Sequence, residues 1–145
     1  MISVPGEIID PEWVLRELAI LAERFRIQEI RYDKHRIAEL KLAMTKARIS
    51  LPLVEHQQGF ISMGPALSFL ADKLRAGQVR HGGNPILTHC IGNAVIVGDA
   101  SDNLKFHKGR SHSTSKLRID GAVALAMAVS PMPGPEVRDF KLMFI

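Results

Sequence analysis

An α/β fold is what this sequence predicts, and three observations predict it. Apolar residues recur at helical spacing in several segments from Pro11 onward, each opened by a capping residue or a proline. Short extended runs lie between them, ending at Tyr32 and Glu55. The order helix, strand, helix, strand, helix, helix, hairpin, helix interleaves the two types, which is the pattern of an α/β layer architecture.

The first helix is predicted over 11–25. Asp10 is a favoured N-cap, and Pro11 fits the first helical position because its missing N–H has no partner to lose there. Val14, Leu18, Leu21, Ala22 and Phe25 make its stripe. A strand over 26–32 follows, then a helix over 34–48 striped by Ile37, Leu40, Met44 and Ala47, with Asp33 at the N-cap position. A second strand over 51–55 is broken by Gln57, Gln58 and Gly59. A helix over 65–76 turns Leu67, Leu70 and Leu74 inward and stops at Gly77. Asn84 and Pro85 open a short helix to Gly92. Residues 94–97 and 104–107 read as a hairpin across an Asp- and Asn-rich turn. The last helix, 121–129, is almost wholly apolar and should be buried; Pro131, Pro133, Gly134 and Pro135 end it. Residues 1–130 thus read as one domain and 131–145 as a Pro/Gly-rich linker and tail. Only two strands are left for a central sheet, which is small for helices of this number.

The chain has 145 residues, 46% of them apolar and 23% charged, which excludes disordered and fibrous classes. No apolar run approaches the roughly 20 residues of a membrane span, and the first ten residues lack the basic start and apolar block of a secretory signal. A single cysteine, Cys90, excludes a disulfide framework and reads as core. The net charge of +4 permits a polyanionic partner without demanding one. Its distribution says more. Between Leu104 and Ile119 stand Lys105, Lys108, Arg110, Lys116 and Arg118 among serines and threonine, with no carboxylate. That stretch suits phosphate contact as well as a solvated loop.

Two aspartates have a placement that can carry chemistry. Asp33 ends a strand and opens a helix, and Asp120 opens the most buried helix directly after the basic stretch. Carboxylates so placed can meet at a sheet edge and hold Mg²⁺ or Mn²⁺, hard cations that take oxygen ligands. Capping alone also accounts for each of them. Asp99, Asp102 and Glu55 are further acids at turn or strand ends. The histidines make no zinc signature, and the phosphate-cradling loop of an ATPase is not present in the sequence.

Five stretches in order, PGEIIDPEWV (5–14), IRYDKHRIAEL (30–40), EHQQGFISMGPAL (55–67), HGGNPILTHCIGNAVIVGDASDNLKFHK (81–108) and IDGAVALAMA (119–128), resemble the C-terminal nuclease domain of the large terminase subunit of tailed phages. The resemblance implies a ribonuclease H-like fold, incomplete at the N-terminus, with a small central sheet, flanking helices and a hairpin. It implies a hydrolase: a two-metal, Mg²⁺- or Mn²⁺-dependent endonuclease that cuts concatemeric double-stranded DNA during packaging. Asp33 and Asp120 would be catalytic and metal-binding, with Asp99 as a third metal candidate. Lys105, Lys108, Arg110, Lys116 and Arg118 would bind DNA. Asn93 and Asn103 also match, as turn residues. The implied partners are double-stranded DNA, the terminase small subunit and the portal; separately, an exposed sheet edge and bare apolar faces would invite a second copy of the chain. The implied place is the host cytoplasm, as a phage or prophage product. The first strands of such a nuclease, with their aspartate, and the ATPase domain have no counterpart here. The second reading is therefore a non-catalytic prophage remnant that serves as a DNA-binding or assembly module.

Overall fold

The computed structural model describes residues 10–107 and 118–131. Among them the elements run α1 (Pro11–Arg24), β1 (Ile30–Tyr32), α2 (Ile37–Ala47), β2 (Leu53–Glu55), α3 (Phe60–Arg75), α4 (Pro85–Gly92), β3 (Ile96–Gly98), β4 (Leu104–Phe106) and α5 (Asp120–Val129). This is the predicted order. The chain divides between Glu55 and His56 into two compact units.

In the first unit α1 begins where its cap requires. The Asp10 carboxylate accepts the Glu12 N–H at 2.9 Å, with Pro11 beside it in the first turn. β1 and β2 pair in parallel, Ile30 opposite Leu53, Arg31 opposite Val54 and Tyr32 opposite Glu55. Parallel strands need a crossover, and α2 supplies it. Leu15 of α1, Ala43 of α2 and Leu51 close the core, with Ile30, Leu40, Met44 and Leu53 packed around them.

Asp33 is not the N-cap of α2, contrary to the sequence reading. Its carboxylate accepts the His35 N–H at 2.8 Å, and Arg36 then takes a left-handed conformation, φ 60°. The chain turns once before the helix starts at Ile37, and the Arg36 guanidinium bonds both oxygens of Glu39 one turn on. Arg48, φ 55°, closes the same helix, its N–H turned back on the carbonyl oxygens of Met44 and Thr45. Both strands are three residues long, shorter than predicted, because pairing extends no further than the register above.

In the second unit α3 starts at Phe60, five residues before the proline that the sequence suggested as its opening. Gly59 is extended and its carbonyl accepts the Met63 N–H at 2.9 Å, so the first turn forms upstream of Pro65. Pro65 then removes one intrahelical donor in the second turn, a modest loss so near the start. Met63, Ala66, Leu67 and Leu70 are buried, but Leu74 is exposed, because the helix outruns the surface it packs on. Gly77 follows with φ +65°, as expected of a helix stop. The α4 cap is as predicted: the Asn84 side chain accepts the N–H groups of Ile86 and Leu87 at 3.0 and 3.1 Å.

β3 and β4 form the antiparallel hairpin, Ile96 opposite Phe106. Gly64 of α3 faces β4, where an added Cβ would lie 3.5 Å from the Leu104 nitrogen. α5 is buried along Ala122, Val123, Ala126 and Met127. It packs with Ile119 against Met63, Leu67 and Leu70, the core of this unit. Cys90 is buried, as its reading as core required. Among the described residues no helix is long and apolar enough to cross a membrane.

Candidate active site

Asp33 stands one residue beyond β1, at the carboxyl-terminal edge of the parallel pair. That edge is where open α/β sheets place their ligands. The register puts Glu55, the last residue of β2, opposite Tyr32 at the same edge. Asp33 is half-buried and Glu55 exposed. The sequence showed nothing of Lys41. From α2 its ammonium donates to the Tyr32 hydroxyl at 3.1 Å and lies 4.9 Å from the centre of that ring. This puts a cation beside the residue that precedes Asp33.

Asp120 is the first residue of α5 and is exposed. Neither a side-chain cap nor a basic residue competes for it in that first turn. A carboxylate there is stabilised by the unpaired N–H groups of the helix start. Ile119 behind it is buried in the core, which fixes the backbone of the turn while the Asp120 side chain stays open.

Asp99 has a structural task. Its Oδ1 accepts the N–H groups of Ser101 and Asn103, each at 2.9 Å, and the Asn103 amide reaches both carboxylate oxygens. Partial burial works to raise the Asp99 carboxyl, but the bonds from the Asn103 side chain, the Asn103 N–H and the Ser101 N–H outweigh it and hold it below the ordinary aspartate value. Asp102, in the same turn, takes φ 59°. Because the folded value is depressed, the contribution of Asp99 to the turn is complete above about pH 4. It is lost as the pH falls through the folded value. Asp99→Ala should therefore speed exchange of the Ser101 and Asn103 amides at neutral pH, and acid should do the same to the unsubstituted chain. Hydrogen exchange followed by NMR measures both.

Of the predicted DNA contacts, Lys105 is half-buried on β4 with its ammonium 4.3 Å from the centre of the Phe60 ring, and Arg118 is exposed just before α5. Lys108, Arg110 and Lys116 lie outside the described residues. Asp33 belongs to the first unit; Asp99, Lys105, Arg118 and Asp120 belong to the second.

Carboxylate oxygens are the right donors for Mg²⁺ or Mn²⁺. The described residues nevertheless contain no group of three or more His, Cys, Asp or Glu arranged to hold an ion. The first unit has the Asp33 and Glu55 pair at its sheet edge; in the second, Asp99 is engaged by its own turn.

A parallel pair with an acid at its carboxyl edge, a hairpin, and an acid opening a buried helix are α/β elements, and a solved structure shows the fold to be ribonuclease H-like. The crystal structure of the HK97 bacteriophage large terminase superposes on it with a TM-score of 0.77 at 38% identity, over 88% of this chain and 26% of that one. The family model described as terminase large subunit, endonuclease domain, matches residues 4–134. The chain belongs to that family. It is 38% identical over 132 residues to the terminase large subunit of Enterobacteria phage HK97, covering 91% of this chain and 25% of that protein. It is also 38% identical over 74 residues to protein YmfN of Escherichia coli strain K12, covering 50% of this chain and 15% of that protein. The chain thus spans a quarter or less of the curated relatives it matches.

Proposed function

We propose that this chain is the DNA-cutting part of a terminase large subunit, an endonuclease that hydrolyses concatemeric double-stranded DNA as phage genomes are packaged. One observation carries the reading. The family match runs through 4–134 and so takes in both Asp33, at the edge of the parallel pair, and Asp120, at the head of the buried helix. In this reading Asp33 and Asp120 are both catalytic carboxylates. Lys105, Lys108, Arg110, Lys116 and Arg118 bind DNA phosphates, and Asp99 holds the hairpin turn. A divalent ion, Mg²⁺ or Mn²⁺, would supply charge to the scissile phosphate, and each of the two carboxylates offers oxygen donors of the kind such ions take. The partners of the reading are double-stranded DNA, the terminase small subunit, the portal and a second copy of the chain, in the host cytoplasm.

A second reading is a DNA-binding or assembly module without cleavage, since the carboxylate-free basic stretch between Leu104 and Ile119 suits phosphate contact with or without a metal. Nicking of supercoiled plasmid in Mn²⁺ separates the two. The nuclease reading expects slow nicking that chelation stops and that Asp33→Ala and Asp120→Ala each remove. Cleavage that persists in both variants sinks the site, and no cleavage with intact DNA binding selects the second reading.

A further inference from the structure

Asn93 is the least explained polar residue of the second unit. It caps the end of α4 with φ −92° and ψ −9°, and its backbone N–H is satisfied by His89 and Ile91. Its side-chain nitrogen, Nδ2, is buried and has no hydrogen-bond partner among the described residues. A buried amide donor left unpaired is costly, so an acceptor is expected nearby.

Its neighbours say where. Cys90 lies three residues before Asn93, a spacing that makes the two neighbours on one helix surface. A Cβ placed on Gly121 would lie 3.2 Å from the Cys90 sulfur and 3.3 Å from its Cβ, so α4 and α5 are pressed together at the residue after Asp120. On the other side of Asn93, Ala94 packs against the core that contains Ile119 and Val123. Both flanks bring Asn93 to the first turn of α5. That turn carries an exposed carboxylate, Asp120, on a backbone fixed by buried residues.

We propose that Asn93 is a positioning residue whose side-chain amide donates to the Asp120 carboxylate. This rests on the reading of Asp120 as a site carboxylate. The bond would satisfy the buried Asn93 donor that has no partner among the described residues. It also restricts a carboxylate that is otherwise free to turn in solvent. Hydrogen bonds to charged groups are stronger than neutral ones, so the gain from pairing is larger than for a water at the same place.

The test uses the whole chain, labelled with ¹⁵N, and watches the Asn93 side-chain amide. Asp120→Ala should shift those protons and remove their protection from exchange. Asp120→Asn, which keeps an acceptor, should restore part of the protection, and Asp33→Ala should leave them unmoved. Asn93 itself is intact in each of these proteins, so the result does not hang on the folding of an Asn93 variant. In the plasmid assay, Asn93→Ala should lower kcat roughly tenfold or more with KM for DNA unchanged. It should cost nothing further in the Asp120→Ala background. An Asn93 amide indifferent to Asp120→Ala overturns the proposal, whatever the nicking does. If instead the amide responds but Asp120→Ala still cuts, the contact stands and the nuclease reading of Asp120 falls.

Discussion

Met63→Ala should cost the second unit about 2–5 kcal/mol, the usual range for emptying a buried methionine site. Met63 is 1% exposed and meets Leu67, Leu70, Ile119, Val123, Ala126 and Met127 in one cluster. Ala126 at its contact is already the smallest side chain that can stand there, and α5 is fixed at its start by Ile119. The cavity therefore has little freedom to collapse. Set against the roughly 5–15 kcal/mol of a whole domain, the loss is large. It should lower the melting midpoint by at least about 8 °C, since one kcal/mol is worth about 4–8 °C in a unit of this size. Ile61→Ala is the control. Two residues away on the same helix, Ile61 is 86% exposed and its truncation should stay within about 0.5 kcal/mol. Thermal unfolding followed by circular dichroism measures both. Equal midpoints for the two variants would show that α3 does not anchor α5 in solution. The consequence reaches the candidate site, because the backbone of Asp120 is held by Ile119 and Val123, which rest in that same cluster.

How much of this was legible in the sequence depended on how local the cause was. The starts of α1 and α4 were, because Asp10 with Pro11 and Asn84 with Pro85 satisfy helix ends within three residues. The burial of α5 was, because a run with almost no polar residue has no face to give to water. The start of α2 was not. Asp33 looks like a cap in sequence, but its bond to His35 and the left-handed Arg36 displace the helix by three residues, and a positive φ at arginine leaves no mark in the sequence. Pro65 misled in the same way, since a proline is tolerated within the first turns as well as at their head. At the site, the strand-end and helix-start positions of Asp33 and Asp120 could be read directly. The contact of Lys41 with Tyr32 and the orphaned amide of Asn93 could not. Both exist only once elements distant in the chain are packed together.

If the basic stretch reads the DNA backbone, affinity for double-stranded DNA should fall steeply with salt. Five full phosphate contacts set the limit, a slope of about −4.5 in log K against log salt and about a 500-fold loss between 50 and 200 mM. Replacing Lys108, Arg110 and Lys116 together with alanine should reduce the slope by about 2.7 and shrink that loss to about 12-fold. Lys105 should behave differently from the other four. Its ammonium is seated 4.3 Å from the centre of the half-buried Phe60 ring, and leaving such a ring costs about 0.5–1 kcal/mol or more. Lys105→Ala should therefore change the slope by less than the roughly 0.9 expected of an open cation. Asp33→Ala and Asp120→Ala should leave the slope where it is, because removing a carboxylate releases no counterion from DNA. Fluorescence anisotropy of a labelled duplex across a salt series reads all of these. A triple variant with the slope of the unsubstituted chain would mean that the cations between Leu104 and Ile119 face water, and that DNA meets this chain elsewhere.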